Sequence, residues 1–547
     1  MTFRWCPKRN GKQTEHSRLL VGKSDPALSP QQNENNVVLQ KTLTTLDSVA
    51  VSVGIMIGAG IFISPTGVYK NTGSVGMTLV AWTIGGCIAL LGALSFVELG
   101  TTIPKSGGFY SYILEAFGPL LAFLTLWITL ILAEPCSLAI RCLTFSEYVI
   151  RAIFAGQTTD LPVERMLAVS TLLLVTYINC IRVKTAAVFQ IVLTFIKIGS
   201  LMVISTIGLV HLCQGNTDNI EEPFHGSTAS PSLFATALLH ALYAYDGWSS
   251  SMFFTEELNN PKTVLFRSVC ISVPLVTLLY IMTNLSYLVV MTPQQISSHE
   301  AVAVTFGNIT MSCVPWIMPT FVAISILGSM NGSLFAISRL TFAGARERHL
   351  PVSLAMIHVT RFTPIPAAIF NCICALIMLT IGDTVSDILE YTTAGGFIVF
   401  GVTVAGLIYL RWSKPEMTRP FKMPLISHII FFGICIFVSV APMFKTPKTT
   451  LVGVSLMLTG IPLYFMITRE TKLKVWSQKY ADKFKITRDI SVLAYIYIYI
   501  LQINSLGSYS CYWLSFIRRT SFMSLNSSEA FIIELEIFSV VYIYSRV

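Results

Sequence analysis

The chain has 547 residues, of which 53% are apolar and only 12% are charged, and its net charge is +9. In soluble domains roughly a quarter of the residues are charged, so this composition excludes an ordinary soluble domain. Three charge-free runs, 74–97, 268–299 and 301–338, exceed the roughly 20 residues that a helix needs to span a bilayer. The sequence therefore predicts an all-α polytopic membrane protein.

The chain divides into a polar start, a long apolar region and a mixed end. Residues 1–43 are polar and basic without the pattern of a cleavable signal peptide, so we expect a cytoplasmic N-terminal tail. Residues 44–470 are expected to form the transmembrane domain and residues 471–547 a cytoplasmic C-terminal tail, to which we assign no function. Hydropathy predicts twelve transmembrane helices, at 45–70, 74–100, 117–150, 163–181, 185–212, 232–257, 264–291, 313–342, 363–382, 385–411, 424–444 and 448–469.

The distribution of Lys and Arg indicates the orientation of these helices. With both termini in the cytoplasm, the outer loops 213–231, 292–312 and 383–387 contain no Lys or Arg, and the outer connections at Lys70, 151–165 and 445–448 are exceptions. The inner loops contain Lys105, Arg182, Lys184, Lys262, Arg346, Arg348, Arg361, Arg411, Lys414, Arg419 and Lys422. This asymmetry follows the positive-inside rule and accounts for the net charge without a nucleic acid partner.

Two predicted helices are interrupted at corresponding places. Helix 1 reads SVGIMIGAGIFISP (52–65), and each of its glycines costs roughly 1 kcal/mol relative to alanine inside a helix. Helix 6, five helices later, has YAYDG (243–247) at its middle. Paired interruptions of this kind are typical of inverted-repeat transporters, in which unwound backbone frees N–H groups for a carboxylate and carbonyl groups for an ammonium. The alternative is that the glycines only allow close helix packing.

Four motifs are specific enough to identify a family. They are IGAGIFISP (57–65), ELGTTIPKSGGFYSYI (98–113), AYDGWSSSMFFTEELNNP (244–261) and NGSLFAISRLTFAGARERHLP (331–351). Over roughly 40–470 the chain resembles the amino acid–polyamine–organocation (APC) superfamily, and within it the L-type light subunits of heteromeric amino acid transporters. The resemblance implies the LeuT-like APC fold, with twelve helices in a 5+5 inverted repeat and broken helices 1 and 6.

Shorter segments resemble one subtype, the light subunit that exchanges cystine, dibasic and neutral amino acids. They are CLTFSEYV (142–149), QGNT (214–217), YDGW (245–248) and EAVAVTF (300–306). Carried over by position, the resemblance implies that backbone of helices 1 and 6 binds the substrate's carboxylate and amine. The implied residues are Ile57, Gly58, Ala59, Gly60, Ile61, Tyr243, Ala244 and Tyr245. Tyr243 stands where these carriers place an aromatic gate.

Two charged residues are predicted to lie at membrane depth beside the breaks. A carboxylate there is costly, so Asp246 needs water, a partner or a proton; it would favour a dibasic substrate, or alternatively cap the broken helix. Lys197 lies in helix 5, and the resemblance implies that its ammonium replaces a cation near the helix 1 break, which makes sodium unnecessary. The alternative is a lysine that extends to the inner interface.

Glu134 departs from the family pattern, because relatives tend to have a basic residue before the proline of helix 3. An acid there would disfavour anionic substrates and help cationic ones. Arg141, seven residues later on the same helix face, could instead compensate Glu134. The sequence favours the two interpretations equally.

The outer loop between helices 3 and 4 lacks a sulfur atom. Animal light subunits have a cysteine here that forms a disulfide with a single-span glycoprotein heavy chain, whereas this chain has Gln157 near that position. We therefore expect no disulfide link through this loop, and either non-covalent association with a heavy chain or function alone.

We interpret the chain as a sodium-independent exchanger of neutral and dibasic L-amino acids in the plasma membrane. The sequence contains no catalytic constellation, so we expect no enzyme activity, and no cofactor or metal. One alternative is an ion-coupled symporter on the same fold, and another is an amino acid sensor that signals through its tails.

Overall fold

We analysed a computed structural model of the chain, which describes residues 3–5, 39–154, 161–215, 219–298, 302–381, 385–445 and 457–468. These residues belong to one unit, Met1–Gln478, and they are almost entirely helical. The α-helices are α1 (Thr45–Met56), α2 (Gly60–Thr72), α3 (Val75–Thr102), α4 (Phe109–Phe117), α5 (Pro119–Ile128), α6 (Glu134–Ile153), α7 (Leu161–Ile181), α8 (Val183–Cys213), α9 (Pro231–Ala244), α10 (Pro261–Val290), α11 (Pro293–Ser298), α12 (Val302–Thr310), α13 (Ile317–Arg346), α14 (Ile365–Ile381), α15 (Val385–Ser413), α16 (Leu425–Lys445) and α17 (Gly460–Thr468).

Within the described residues, seven helices are long and apolar enough to cross a membrane, or eight if the bent pair α1–α2 counts as one span. Three further helices are also apolar but shorter: Pro231–Ala244, Ile365–Thr380 and Leu425–Val440. The first eleven predicted segments each coincide with a helix or a broken helix within four residues at each end. Only part of the twelfth, at α17, lies within the described residues.

Local sequence signals account for where several helices begin and end. Thr44 and Asp47 form a reciprocal capping box at the start of α1, which satisfies two backbone donors. Gly73 ends α2 with a left-handed backbone at φ +74°, a conformation that glycine adopts without strain. Ser74 then caps α3 by accepting a hydrogen bond from the Met77 amide at 3.3 Å. Gly73 and Ser74 therefore separate α2 from α3 by a sharp turn.

Among the seven helices that are long and apolar enough to cross a membrane, α13 is the most enclosed and α7 is the least enclosed. In the most apolar part of α13, 78% of the residues are buried. In the most apolar part of α7, which lies within 162–181, only 33% are buried. Helix α13 packs against α1, α6 and α8, and α10 packs against α1, α3 and α8. Both broken helices therefore lie beside the core of the protein, whereas the apolar outer faces of α7 and α8 remain available to lipid.

Hydropathy did not predict the short elements between the spans. Helix α4 lies in a predicted inner loop, and α11 and α12 lie in the predicted outer loop 292–312. A two-stranded antiparallel sheet pairs β1 (Phe3–Trp5) with β2 (Met356–His358). These elements contain nine residues or fewer, so they are too short for a window that searches for membrane spans.

Candidate functional site

The first break lies between α1 and α2, which bend by 46° relative to each other. Ile57 leaves the helical conformation at φ −77° and ψ 81°. The amide of Gly58 consequently donates to Met56 O at 2.8 Å instead of to Gly54 O, its partner in a continuous helix. The break therefore frees the carbonyl oxygen of Gly54 for another donor.

Lys197 of α8 supplies that donor. Its Nζ donates to Gly54 O at 2.5 Å and to Ile57 O at 2.7 Å, and its side chain is fully buried. Gly328 of α13 makes room for it, since a Cβ at that position would lie 2.6 Å from Lys197 Cε. Lys197 thus extends into the first break rather than toward an interface.

The second break lies between α9 and a 3₁₀-helix at Ser250–Glu257. It begins two residues later than the sequence suggested, because Tyr243 and Ala244 still belong to the last turn of α9. The amide of Tyr245 donates to Ala241 O at 3.3 Å and continues the helix. Gly247, at φ +109°, then turns the chain into a conformation that other residues rarely adopt.

The two broken helices are in direct contact. A Cβ at Gly60 would lie 2.6 Å from Ala244 Cα, so only glycine allows α2 to approach the end of α9 this closely. The hydroxyl of Tyr280, on α10, lies 2.6 Å from Met56 O and 2.9 Å from Ala244 O. The single hydroxyl proton is therefore shared between carbonyl groups at the C-terminal ends of α1 and α9. Gly60 therefore allows close packing between α2 and α9 in addition to its place at the helix break.

Tyr245 holds this junction from the other side. Its hydroxyl donates to Trp82 O at 3.0 Å, and its buried ring lies 5.1 Å from the ring of Tyr280. Trp82 packs edge-on against Tyr280 at 5.5 Å. The side chain of Tyr245 is thus committed to this aromatic cluster, and only its backbone is available for the role expected from the sequence.

A cavity of about 100 Å³ lies beside the second break. It is lined by Phe109, Ile128, Thr129, Ala133, Glu134, Ser137, Leu242, Tyr243, Asp246, Trp248, Gly396, Phe397, Val399 and Phe400. Three residues singled out in the sequence, Tyr243, Asp246 and Glu134, therefore share one cavity. Residues 57–61 and Lys197 do not line it, so the structure divides the expected binding set between the cavity and the adjoining helix junction.

The cavity contains two carboxyl groups with different surroundings. Asp246 is half exposed and lies 3.7 Å from Nη2 of Arg141, measured from Oδ2. Glu134 accepts a hydrogen bond from Ser333 Oγ at 3.0 Å. The ion pair of Arg141 within 4 Å is therefore with Asp246, and not with Glu134, the acid that the sequence placed on the same helix face.

Glu134 follows a π-helical turn, Thr129–Ala133, that separates α5 from α6. Pro135 has no N–H to donate, and its ring crowds the carbonyl four residues earlier, so a regular α-helix is disfavoured here. Turns of this type occur frequently at functional sites. The widened turn contributes Thr129 and Ala133 to the cavity lining.

Sequence reasoning missed Tyr280, Ser333 and the apolar wall of the cavity. Trp248 belongs to that wall and packs at 4.7 Å against Phe400, which comes from the distant helix α15. Its place as one of two tyrosines inside an apolar span was the only sequence signal for Tyr280. Gln157 lies outside the described residues, and in the described part of the chain no group of three His, Cys, Asp or Glu residues could hold a metal ion.

Comparison with known proteins identifies the family of this chain. The family model described as amino acid permease matches residues 43–467. The human large neutral amino acids transporter small subunit 2 is 42% identical over 470 residues, covering 84% of this chain and 86% of the relative. The human cystine/glutamate transporter is 39% identical over 84% of this chain and 91% of its own length. The mouse Asc-type amino acid transporter 1 is 39% identical over 79% and 82%, respectively.

The matched region contains both broken helices and the cavity, and the named relatives are transporters, not enzymes. The chain therefore belongs to the amino acid permease family of the APC superfamily and shares extensive sequence with the light subunits of heteromeric amino acid transporters.

Proposed function

We propose that this protein is a sodium-independent exchanger that carries neutral and dibasic L-amino acids across the plasma membrane by alternating access. In this proposal residues 44–470 form twelve membrane helices in a 5+5 inverted repeat, and both tails are cytoplasmic. The observation that carries the proposal is the position of Lys197 Nζ, which donates to the freed carbonyls of the first break. The short apolar helices Pro231–Ala244, Ile365–Thr380 and Leu425–Val440 would raise the eight spans of the described residues to eleven. Helix α17 would belong to the twelfth span.

Lys197 supports independence from sodium. A sodium ion at the first break would need oxygen ligands such as Gly54 O and Ile57 O, which the ammonium already uses. The ion would also be repelled by a buried charge of the same sign, and such repulsion is strong at low dielectric. The fixed ammonium thus supplies the positive charge that a bound ion would otherwise provide.

The helix junction offers groups for the part that all amino acids share. The first N–H groups of α2 have no partners within the helix, and they lie at its positive dipole end, which favours a substrate carboxylate. The carbonyls around Ala244, at the end of α9, would accept from the amine. In this proposal the backbone of residues 57–61 and 243–245 forms the cradle, and Tyr243, in the adjoining cavity, closes over the substrate.

The cavity offers groups for the substrate side chain. Asp246 is half exposed there, which suits an ammonium or guanidinium of a dibasic amino acid. Trp248, Phe397 and Phe400 supply apolar surface for a neutral side chain. The relatives named for large neutral amino acids and for cystine and glutamate indicate that side-chain preference varies within this family.

We further propose that the chain associates with a single-span glycoprotein heavy chain without a disulfide, or acts alone. The name "small subunit" of one group of relatives implies a second subunit in those proteins. Gln157 stands near the position at which such a link would need a cysteine.

The direct test is uptake of radiolabelled arginine and leucine into proteoliposomes of the purified chain. Vesicles would be preloaded with amino acid or left empty, with and without sodium, for the natural protein and for Asp246→Asn. We expect uptake of both substrates that needs preloading but no sodium, and a selective loss of arginine uptake in Asp246→Asn.

Other outcomes would point elsewhere. Uptake into empty vesicles that follows a sodium or proton gradient would establish a symporter. Equal losses of arginine and leucine uptake in Asp246→Asn would make this residue structural. Substrate binding without transport by the folded protein would point to a sensor or to a required heavy chain.

A further inference from the structure

The ion pair between Arg141 and Asp246 is unusually loose. Hydrogen-bonded pairs of Arg with a carboxylate have N···O distances of roughly 2.7–2.9 Å, whereas Arg141 Nη2 lies 3.7 Å from Asp246 Oδ2. Arg141 is nearly fully buried, and its Nη1 has no hydrogen-bond partner among the described residues. A buried guanidinium with an unsatisfied donor is costly, so this contact is not optimised for stability.

Arg141 is also placed to balance the charges around the cavity. Glu134 and Asp246 contribute two negative charges, and Arg141 and Lys197 contribute two positive charges. Arg141 pairs with Asp246 and belongs to the same helix, α6, as Glu134. In their ordinary charge states the four groups therefore sum to zero, which suits a bound zwitterion with a neutral side chain.

A dibasic substrate adds one positive charge to this balanced set. Its side chain can reach Asp246 from the cavity, because half of the aspartate is exposed there, whereas Arg141 approaches from the buried side. The two cations then compete for one carboxylate. Specificity is a difference between two affinities, and a built-in competitor lowers one of them.

We propose that Arg141 is a specificity-determining residue: it acts as an internal counter-cation for Asp246 that a dibasic side chain displaces and a neutral side chain leaves in place. This inference rests on the proposed function, because it assigns Asp246 to the substrate side chain. It adds that the ratio of dibasic to neutral transport is set by a residue that does not line the cavity.

The test compares arginine with citrulline, which has nearly the same size but no side-chain charge. Uptake kinetics in proteoliposomes would be measured for the natural chain, Arg141→Gln, Arg141→Lys, Asp246→Asn and the double variant Arg141→Gln/Asp246→Asn. In Arg141→Gln we expect the ratio of the citrulline KM to the arginine KM to rise about tenfold. Arg141→Lys keeps the charge and should restore the ratio.

The double variant separates competition from structure. In the Asp246→Asn background, Arg141→Gln should change the ratio of the citrulline KM to the arginine KM by no more than about twofold. This is the scatter expected of two sites that do not interact. A structural role would raise both KM values or lower both maximal rates equally and leave their ratio unchanged, which would overturn the inference. A lower preference for arginine in Arg141→Gln would overturn it as well.

Failure of the proposed function is distinguishable from failure of this inference. If the natural chain carried leucine but no arginine, the dibasic specificity would be wrong, and the inference would still predict a gain of arginine uptake in Arg141→Gln. Absence of that gain in a variant that retains leucine uptake would overturn the inference itself.

Discussion

Two of the arginine–carboxylate pairs of this protein differ in both distance and burial. Where the 3₁₀-helix meets α13, Arg339 binds Glu257 through two hydrogen bonds, at 2.8 and 3.2 Å, and both side chains are almost completely buried. At the cavity, Arg141 lies 3.7 Å from a half-exposed Asp246. The same chemistry thus forms a structural link in one region and an accessible, exchangeable contact in the other.

The surroundings of the two arginines explain the difference. Arg339 donates a further hydrogen bond to Phe335 O at 3.0 Å and lies 3.5 Å above the ring of Phe335. All three guanidinium nitrogens of Arg339 therefore donate hydrogen bonds. In contrast, Nη1 of Arg141 has no hydrogen-bond partner in the described part of the chain. A fully satisfied pair is expected to hold two helices together, and a partly satisfied one is expected to yield to a competitor.

The largest expected effect comes from breaking the buried pair. Arg339→Met leaves the Glu257 carboxylate without its cation, and we expect a loss of about 3–5 kcal/mol in the free energy of unfolding. Arg141→Gln should cost less than about 1 kcal/mol, since the side chain of Asp246 is half exposed. Thermal denaturation of the purified variants in detergent measures both.

The double variant Arg339→Met/Glu257→Gln provides the control for that pair. It removes both charges and should recover much of the lost stability, because no unpaired charge stays buried. Equal destabilisation by Arg339→Met and Arg141→Gln would contradict the distinction between the two regions.

The second prediction concerns what holds the cavity region together in place of strong ion pairs. Gly60→Ala places a Cβ 2.6 Å from Ala244 Cα, and overpacking of this kind typically costs about 1–3 kcal/mol. Uptake should fall with stability, because the two broken helices are forced apart. Gly199→Ala is the matched control: a Cβ there meets nothing within 4 Å, so stability should be unchanged or slightly higher.

The sequence predicted more of the fold than of the site. Helix positions were predictable because long apolar runs have few alternatives in a membrane. The first break was predictable because glycines interrupt an apolar helix. The second was misplaced by two residues, because the sequence alone does not show that Tyr243 and Ala244 still belong to the last turn of α9.

The pairing of Arg141 was not predictable in the same way. A spacing of seven residues places Arg141 on the same helix face as Glu134, and pairing between them was one of two interpretations that the sequence favoured equally. The structure instead places Asp246, a residue 105 positions later, within 3.7 Å. Which distant helix faces a side chain depends on packing, and no periodicity within one helix contains that information.

The third prediction tests the neutral hydrogen bonds at the junction of the broken helices. Tyr280→Phe removes the hydroxyl that donates at Met56 O and Ala244 O. We expect a loss of about 1 kcal/mol, because Met56 O keeps the amide of Gly58 as a second donor. Tyr287→Phe, two turns later on α10, is the control: its hydroxyl has no partner among the described residues, so its removal should not destabilise the protein.

The smallest expected effect separates distance from burial as the cause of the difference between the two regions. Glu115 of α4 accepts a hydrogen bond from Lys414 Nζ at 2.8 Å, as short as the Arg339 pair, but the two side chains are 31% and 42% exposed. The hydrogen bond from Lys414 lowers the pKa of Glu115, and partial burial opposes that shift. Because solvent screens the pair, Glu115→Gln should cost no more than about 0.5 kcal/mol at pH 7.

The pH dependence of that cost has a defined sign. A carboxyl group whose pKa is lower in the folded protein stabilises it above the unfolded value of about 4.5, and this stabilisation is lost as the pH falls through the folded pKa. The natural chain and Glu115→Gln should therefore differ slightly at pH 7 and converge well below pH 4.5, as measured by thermal denaturation across that range. If Glu115→Gln cost as much as Arg339→Met, short distance alone would define a structural pair. A small cost would instead identify burial as the property that separates the link at α13 from the exchangeable contact in the cavity.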